Sequence, residues 1–399
     1  MSNKDHFLKI VNFLRPYEGI WNNEIINFYP NSLDNYKDEW LEDLKSLSDK
    51  QLWQVDSASD FNLLNSDLNK IFKEIWKLSE LPKAKYKIPN IPLKNFHKVK
   101  AKKRHEILQI LGLLKNDNNL SEFETIVDIG GGVGHLARKL SMNLNKKTYS
   151  IDRDSSFQSI GKEKNKDNSL LSFINHNFSE IANPNNVFND RAFSIGLHTC
   201  GPLANIHLKN SIKYNVAGML NFGCCYMKLH EKNDINISNY AIRNGLNFHP
   251  HTLSLATRSH STFSFEDFLF KKRVKYYRFG LHLLLYHLLG TKEFCAVGDG
   301  TTELYNGSFS NYVLDKLDTL KISHTLNENQ IESFYNEISE SGLLEKCLLA
   351  NIIRWKFGRL IEHYILFDRA IFLEENGKEP RIMELFDENI SPRNICILY

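Results

Sequence analysis

The sequence predicts an α/β protein built on a mostly parallel, doubly wound sheet. Strand and helix patterns alternate from about residue 105 onward, a glycine-rich turn joins the first strand to the helix after it, and the composition can fill a large core. Of 399 residues, 42% are hydrophobic and 24% charged, the balance of a folded soluble chain and not of a disordered one. Fifty basic residues against forty-seven acidic leave +3, so overall charge points to no partner.

Residues 1–82 read as a helical N-terminal region. Apolar residues recur at helical spacing in Ile10, Val11, Phe13 and Leu14, in Trp40, Leu41, Leu44 and Leu47, and in Leu68, Ile71, Phe72, Ile75 and Trp76. Pro82, Pro89 and Pro92 then break the pattern, and 83–104 reads as an extended basic linker with nine Lys/Arg and no acid. Tyr86, Phe96 and His97 lie among these charges, a mixture suited to phosphate tracking and base stacking. The core is expected over 105–265, with a helix at 105–114 and strands at 125–128, 147–152, 170–174, 192–198 and 216–222. Residues 266–390 read as a helical insertion or cap. It contains a long apolar helix at 343–375 and a second basic cluster, Lys271-Lys-Arg-Val-Lys-Tyr-Tyr-Arg278. A final strand, within 391–399, completes the sheet.

Six cysteines (Cys200, Cys224, Cys225, Cys295, Cys347 and Cys396) are too few for a disulfide scaffold in a chain of this length and imply reduced thiols in an intracellular protein. The N-terminus lacks an apolar signal core. The longest leucine-rich run, 281–289, is interrupted by His282 and His287 and is about half the length needed to cross a bilayer. A cytoplasmic location is expected, or a nuclear one in a eukaryotic host.

The segment Val127-Asp-Ile-Gly-Gly-Gly-Val-Gly-His-Leu136 is the most informative. Glycines let the backbone turn tightly and approach a ligand without Cβ clashes. A dinucleotide fingerprint places its third glycine at what is His135 here; instead Gly130, Gly132 and Gly134 give Gly-x-Gly-x-Gly. Asp128 precedes the turn, where a carboxylate repels a pyrophosphate but attracts an α-amino group. Asp152 ends the next strand, about twenty residues on, where a carboxylate holds ribose hydroxyls. A ribose joined to a cationic amino acid is S-adenosylmethionine, and Asn177, after the third strand, is expected at the adenine edge.

Further motifs extend the pattern: Ala101-Lys-Lys-Arg-His-Glu-Ile107, Gly196-Leu-His-Thr-Cys-Gly-Pro-Leu203, Gly223-Cys-Cys-Tyr-Met-Lys-Leu229, Leu366-Phe-Asp-Arg-Ala370 and Ser391-Pro-Arg-Asn394. In this order and spacing the chain resembles the methyltransferase-like protein 25 family, also described as ribosomal RNA adenine dimethylase domain-containing proteins. The resemblance implies a Rossmann-like class I methyltransferase that uses S-adenosylmethionine, with RNA (rRNA or tRNA) as acceptor. It also implies that Lys102, Lys103, Arg104 and His105 line the cofactor or substrate entrance; Arg393 and Asn394, which precede the last strand, are expected to reach the same cleft. Pro202 stands where the family's His-x-Cys-Gly-Asp pattern has an acid, so no carboxylate role falls there.

Adenine N6 enzymes present an Asn/Asp-Pro-Pro-Tyr-like turn after strand four, and this chain has none. His198-Thr-Cys-Gly201 stands there instead, and resembles turns of the family that methylates tRNA ribose 2′-hydroxyls. His198 is therefore expected to act as general base or substrate-orienting group, since imidazole as a side-chain type titrates near neutral pH. Cys200 and Cys224, after adjacent strands, suggest a second chemistry, thiolate attack on cytosine C6; Cys224 and Tyr226 are then on the substrate side. No metal is expected, because adjacent cysteines diverge on a strand and no Cys-x-x-Cys spacing exists. A protein methyltransferase and a non-catalytic cofactor-binding scaffold are the alternative functions.

Overall fold

The computed structural model describes residues 2–232, 235–257 and 263–399, with the side chains of Ala58 and residues 230–232 left out. The chain divides into two compact units that do not follow its linear order: Met1–Arg15, Leu78–Ser261 and Arg359–Tyr399 form one, and Pro16–Lys77 with Thr262–Gly358 the other.

The first unit is a seven-stranded sheet. Its strands are β1 (Thr125–Ile129), β2 (Lys147–Asp152), β3 (Leu171–Asn175), β4 (Ala192–Cys200), β5 (Gly218–Cys224), β6 (Arg381–Glu384) and β7 (Ile395–Leu398), in the order β3-β2-β1-β4-β5-β7-β6. The first five are parallel, and β7 runs antiparallel to both β5 and β6. Strand order reverses between β1 and β4, the switch point at which open α/β sheets bind ligands beyond their carboxyl ends.

Helices α1 (Ala101–Asn116), α2 (His135–Leu144), α3 (Ser155–Lys164) and α4 (Pro202–Lys213) flank the sheet. Because both faces are covered, the central strands read as continuous apolar runs. One face packs Ile107, Ile110, Leu111, Ile126, Leu140, Ile195 and Phe222 into a single cluster. Val127, Ile129, Ile151 and Ile174 fill the other. Each such side chain contributes about 1.5–3 kcal/mol when fully buried. Phe222 also stacks on Phe386 at 4.5 Å, tying β5 to the chain after β6.

Strand β6 lies inside the 266–390 span that reads as helical. Four residues between Pro380 and Leu385 are too short for a period-2 signal, and the strand forms because it pairs on both edges. Ala84 N–H donates to the Glu384 carbonyl at 2.8 Å, and Glu384 N–H to the Pro82 carbonyl at 2.9 Å. The basic linker therefore begins as an edge partner of the sheet. It also gives up two of its aromatic residues: Phe96 is buried in the core, and Tyr86 donates to Asp117 at 2.7 Å. Only His97 of the three is left exposed for stacking.

The second unit is helical, including Asp38–Lys45, Leu68–Leu78 at the boundary, Phe265–His287, Phe309–Thr319 and Glu328–Glu340. Its basic cluster is largely spent on internal contacts. Lys272 pairs with Asp49 at 2.6 Å, Arg278 with Asp299 at 3.3 Å, and Arg273 donates to Asn306 at 3.0 Å. Lys275 sits 4.4 Å from the Trp355 ring. The helix Leu343–Glu375 (α5) gives its first half to this unit and continues from Arg359 in the other. Among the described residues no helix is long and apolar enough to cross a membrane.

Candidate active site

The glycine turn follows β1 directly. Gly130, Gly132 and Gly134 have φ of 72°, 56° and 75°, left-handed values that cost an L side chain roughly 1–2 kcal/mol. Two of them do different work. A Cβ on Gly134 would lie 2.7 Å from the Phe173 ring, so this glycine lets α2 close on β3, whereas a Cβ on Gly132 would meet nothing within 4 Å. Gly132 thus borders an open cradle. Its N–H donates to Asp152 Oδ2 at 2.9 Å, and Asp154 N–H donates to Oδ1 at 2.9 Å, which fixes the Asp152 carboxylate at the end of β2. Asn175, at the end of β3, donates to the Asp152 and Arg153 carbonyls at 3.0 Å. Asn177 is exposed in the loop beyond it.

Asp128 lies beneath this turn and is 1% exposed. It accepts the Ala137 N–H, while Oδ2 has no hydrogen-bond partner among the described residues. Burial pushes its carboxyl up to about 7, although Lys103 pulls the other way. So buried, it could act on a ligand above the turn only through its field, and a bound cation would favour its ionised form.

His198 and Glu106 form the second part of the site. The sheet register slips between Gly196 and Thr199, and His198 takes φ of 61° in that bulge. Bulges re-aim side chains at the rims of sheets, and a left-handed non-glycine residue is strain that its surroundings must over-determine. Here the imidazole turns to α1, where its Nε2 lies 2.7 Å from Glu106 Oε1. Glu106 is fully buried, accepts the Ser391 hydroxyl at 2.8 Å, and has Lys103 at 3.3 Å from Oε2. Burial alone would raise its carboxyl, but the His198 contact, Lys103 and Ser391 hold it down at about 2. As a carboxylate it can only accept, so His198 Nε2 carries the proton and Nδ1 is the basic nitrogen. The His198 side chain remains 22% exposed.

A polar network under the bulge supports it. Asn221 donates to Thr199 Oγ1 at 3.1 Å and to His207 Nδ1 at 2.9 Å, and His207 Nε2 reaches Ser194 at 2.9 Å. His207 is fully buried, and desolvation lowers it to about 3, so it is neutral.

The cysteines converge instead of diverging. β5 ends at Cys224, and Cys225 takes φ of 50°, which breaks the strand alternation and brings its sulfur to the same side. Cys200 Sγ lies 3.2 Å from Cys224 Sγ and 3.4 Å from Cys225 Sγ. The two neighbouring thiols, helped by Lys228 and His198, lower the exposed Cys200 thiol to about 5, while Cys224 and Cys225 are raised.

The other sequence-derived candidates divide between this site and its surroundings. Lys102 and Lys103 flank Glu106 on α1, and Arg104 is half-buried there. His105 accepts the Asp387 N–H at 3.0 Å, and burial lowers its ring. Tyr226 and Asn394, expected on the substrate side, are enclosed. Tyr226 donates to Glu362 at 3.2 Å, and Asn394 accepts from Arg359 at 3.0 Å. They join a buried charge network because α5 brings Arg359 and Glu362 against this end of the sheet. Arg393 belongs to it too, 3.9 Å from Glu362 and donating to the Ala256 carbonyl at 3.2 Å. Glu106 and Ser391 have no assigned role in the sequence reading. The available signal was a carboxylate on the apolar helix face shared with Ile110 and Leu113.

Residues 102–232, about a third of the chain, match the family model described as a methyltransferase domain. With the sheet order above, this defines the class: an S-adenosylmethionine-dependent methyltransferase of Rossmann-like fold. The residues fit that cofactor, since Gly132 leaves a cradle that a side chain would fill, the Asp152 carboxylate is held at the end of β2 beside that cradle, where it could accept from ribose hydroxyls, and Asp128 supplies an unpartnered buried carboxylate oxygen. Among solved structures, the chain is similar to a SAM-dependent methyltransferase from Aquifex aeolicus at 17% identity, covering 33% of this chain and 74% of that one with a TM-score of 0.24. It is also similar to geranyl diphosphate C-methyltransferase from Streptomyces coelicolor at 11% identity, covering 56% and 93%, TM-score 0.24. Coclaurine N-methyltransferase aligns at 10% identity over 98% and 99%, TM-score 0.23. Scores this low bear on neither substrate nor mechanism.

Proposed function

We propose that this methyltransferase modifies RNA, with a hydroxyl of the acceptor as the nucleophile, and that it is a relative of the methyltransferase-like protein 25 family. The observation that carries the reading is the continuity of one segment. Lys85, Lys87, Lys94, Lys98, Lys100 and Lys102 are all exposed, and the same segment runs into α1, which holds Glu106 against His198. Phosphate attraction and acceptor chemistry then adjoin in the sequence. The internal engagement of Lys272, Arg273 and Arg278 leaves the 83–104 stretch as the main electrostatic support.

Asp152 and the Gly130–Gly134 turn would hold the cofactor, which would supply an electrophilic methyl on its sulfonium and leave as the neutral thioether. Glu106 fixes the imidazole, so that Nδ1 of His198 would take the proton of the acceptor hydroxyl.

Incubation of the protein with radiolabelled S-adenosylmethionine and a cell lysate, divided between RNase and protease, tests the acceptor class. RNase-sensitive label is expected. Protease-sensitive label would replace RNA with protein as acceptor, and absence of label in a protein that binds the cofactor would point to a scaffold.

A further inference from the structure

We propose that Cys200, Cys224 and Cys225 form a binding site for a thiophilic metal ion, zinc foremost, with three protein thiolates and a fourth position open to solution. The three Sγ atoms lie within 4.8 Å of one another, and none of the cysteines is in a disulfide. Cys200 and Cys224 end two adjacent parallel strands and are paired in the sheet, and Cys225 follows Cys224 directly, so two of the three donors are fixed by the sheet and the third is one residue beyond it.

Two backbone features build the triangle. Gly201, with φ of 52°, turns the chain just after Cys200, and its N–H donates to the Cys224 carbonyl at 2.9 Å. Cys225, with φ of 50°, is in a conformation that an L residue adopts only where packing demands it. An inert buried thiol would need neither turn. Tetrahedral zinc with bonds of about 2.3 Å sets its sulfurs roughly 3.8 Å apart. The observed 3.2 and 3.4 Å separations reach that spacing by small side-chain rotations.

The surrounding charge suits an anionic cluster. Three thiolates on a divalent ion leave one net negative charge. Arg369 is 1% exposed, its Nη1 and Nη2 have no hydrogen-bond partner among the described residues, and its charge acts on Cys224. A Cβ on Gly223, the residue before Cys224, would collide with Arg369 Nη1. Tyr226, Asp368 and Glu362 also act on this guanidinium and its Nε donates to Asn205, so the thiolates share its charge with these groups while Nη1 and Nη2 remain the donors turned to the cluster. Lys228 adds a second cation acting on Cys200 and Cys225. Cys224 is buried and Cys200 exposed, so the open position is on the Cys200 side. Three protein ligands with one exchangeable position is the arrangement of catalytic zinc, not of closed structural zinc.

The test uses the full chain, purified under reducing conditions and titrated with zinc against a chromophoric chelator. About one tightly held zinc per chain is expected. Cys200→Ser, Cys224→Ser and Cys225→Ser should each weaken it on the order of 100-fold or more, and Cys295→Ser should not. Should a serine variant fail to fold, the unmodified protein still decides the matter. Bound zinc should shield Cys200, Cys224 and Cys225 from iodoacetamide, and cobalt in its place should give sulfur-to-metal charge-transfer absorption. Zinc uptake indifferent to all three serine changes, or equal alkylation of the three cysteines with and without zinc, would overturn the site. A Cys200–Cys224 disulfide that persists in the reduced preparation would also do so. Binding is read without methyl transfer, so failure here leaves the RNA reading untouched.

Discussion

Glu106 holds the His198 imidazole from 92 residues away in sequence, Oε1 to Nε2 at 2.7 Å. The carboxylate is fully buried and shared with Ser391 and Lys103, so the ring has one orientation and one basic nitrogen. His198→Ala removes the proton acceptor and should lower kcat by about 10²–10⁴-fold. Glu106→Gln keeps the shape but frees the ring to choose its tautomer, and should lower kcat by a smaller factor with KM for the acceptor little changed. Calorimetry should find cofactor affinity near wild type in both. Equal losses of kcat and cofactor affinity would assign the pair to the cofactor cradle.

Asp128 predicts a trade between stability and binding. Its carboxyl is raised to about 7 by burial. A raised carboxyl contributes stability that is present below its unfolded value and lost as pH climbs through about 7. Asp128→Asn removes that loss, so the cofactor-free variant should melt above wild type at pH 8, by about 1–4 kcal/mol in stability, with the gain shrinking toward pH 4. The same change removes the charge opposite a cationic ligand, and S-adenosylmethionine affinity should fall roughly tenfold. A melting difference independent of pH would show that the carboxyl is not strained by burial.

Gly132 and Gly134 separate binding from folding within one turn. Both have positive φ, but a Cβ at 134 meets Phe173 at 2.7 Å and one at 132 meets nothing within 4 Å. Gly134→Ala should cost about 1–3 kcal/mol of backbone strain and packing, visible as a lower Tm. Gly132→Ala should cost only the backbone share, about 1 kcal/mol, yet abolish cofactor binding by filling the cradle. If Gly132→Ala binds the cofactor normally, the cradle lies elsewhere.

Much of this was legible in the chain because it follows from local rules. The turn at 130–134 declares itself through glycines that must take positive φ, and β3, β4 and β5 through apolar runs of strand length, while β2 is placed by its position after the helix that the turn opens. What stayed hidden depends on contacts distant in sequence. Nothing near Glu106 names His198 as its partner, and only its place on an apolar helix face marks it. β6 is too short to show a period and exists through pairing with 82–84 and β7. The cysteines read as divergent under the rule that neighbours on a strand point to opposite faces, whereas β5 stops at Cys224 and Cys225 turns with positive φ. Tyr86 and Phe96, which suit base stacking by composition, went to the core because apolar faces beside them needed covering. Composition locates charge well, since lysines stay in water; it locates aromatic rings poorly, since burial competes for them.

That asymmetry shapes the prediction for RNA. With Phe96 buried and Tyr86 bonded to Asp117, the 83–104 stretch offers charge with little stacking. Binding through it should therefore be strongly salt-dependent and weakly dependent on base identity. Each phosphate contact to single-stranded RNA contributes about 0.7 to the slope of log K against log salt. Replacing Lys94, Lys98 and Lys100 together by alanine should shallow that slope by about 2 and weaken binding evenly across sequences. These side chains are exposed, so the thermal midpoint should not move. The parallel replacement of Lys272 and Arg278, which pair with Asp49 and Asp299, should lower stability and leave the slope alone. The reverse outcome would transfer the RNA-binding face to the helical unit.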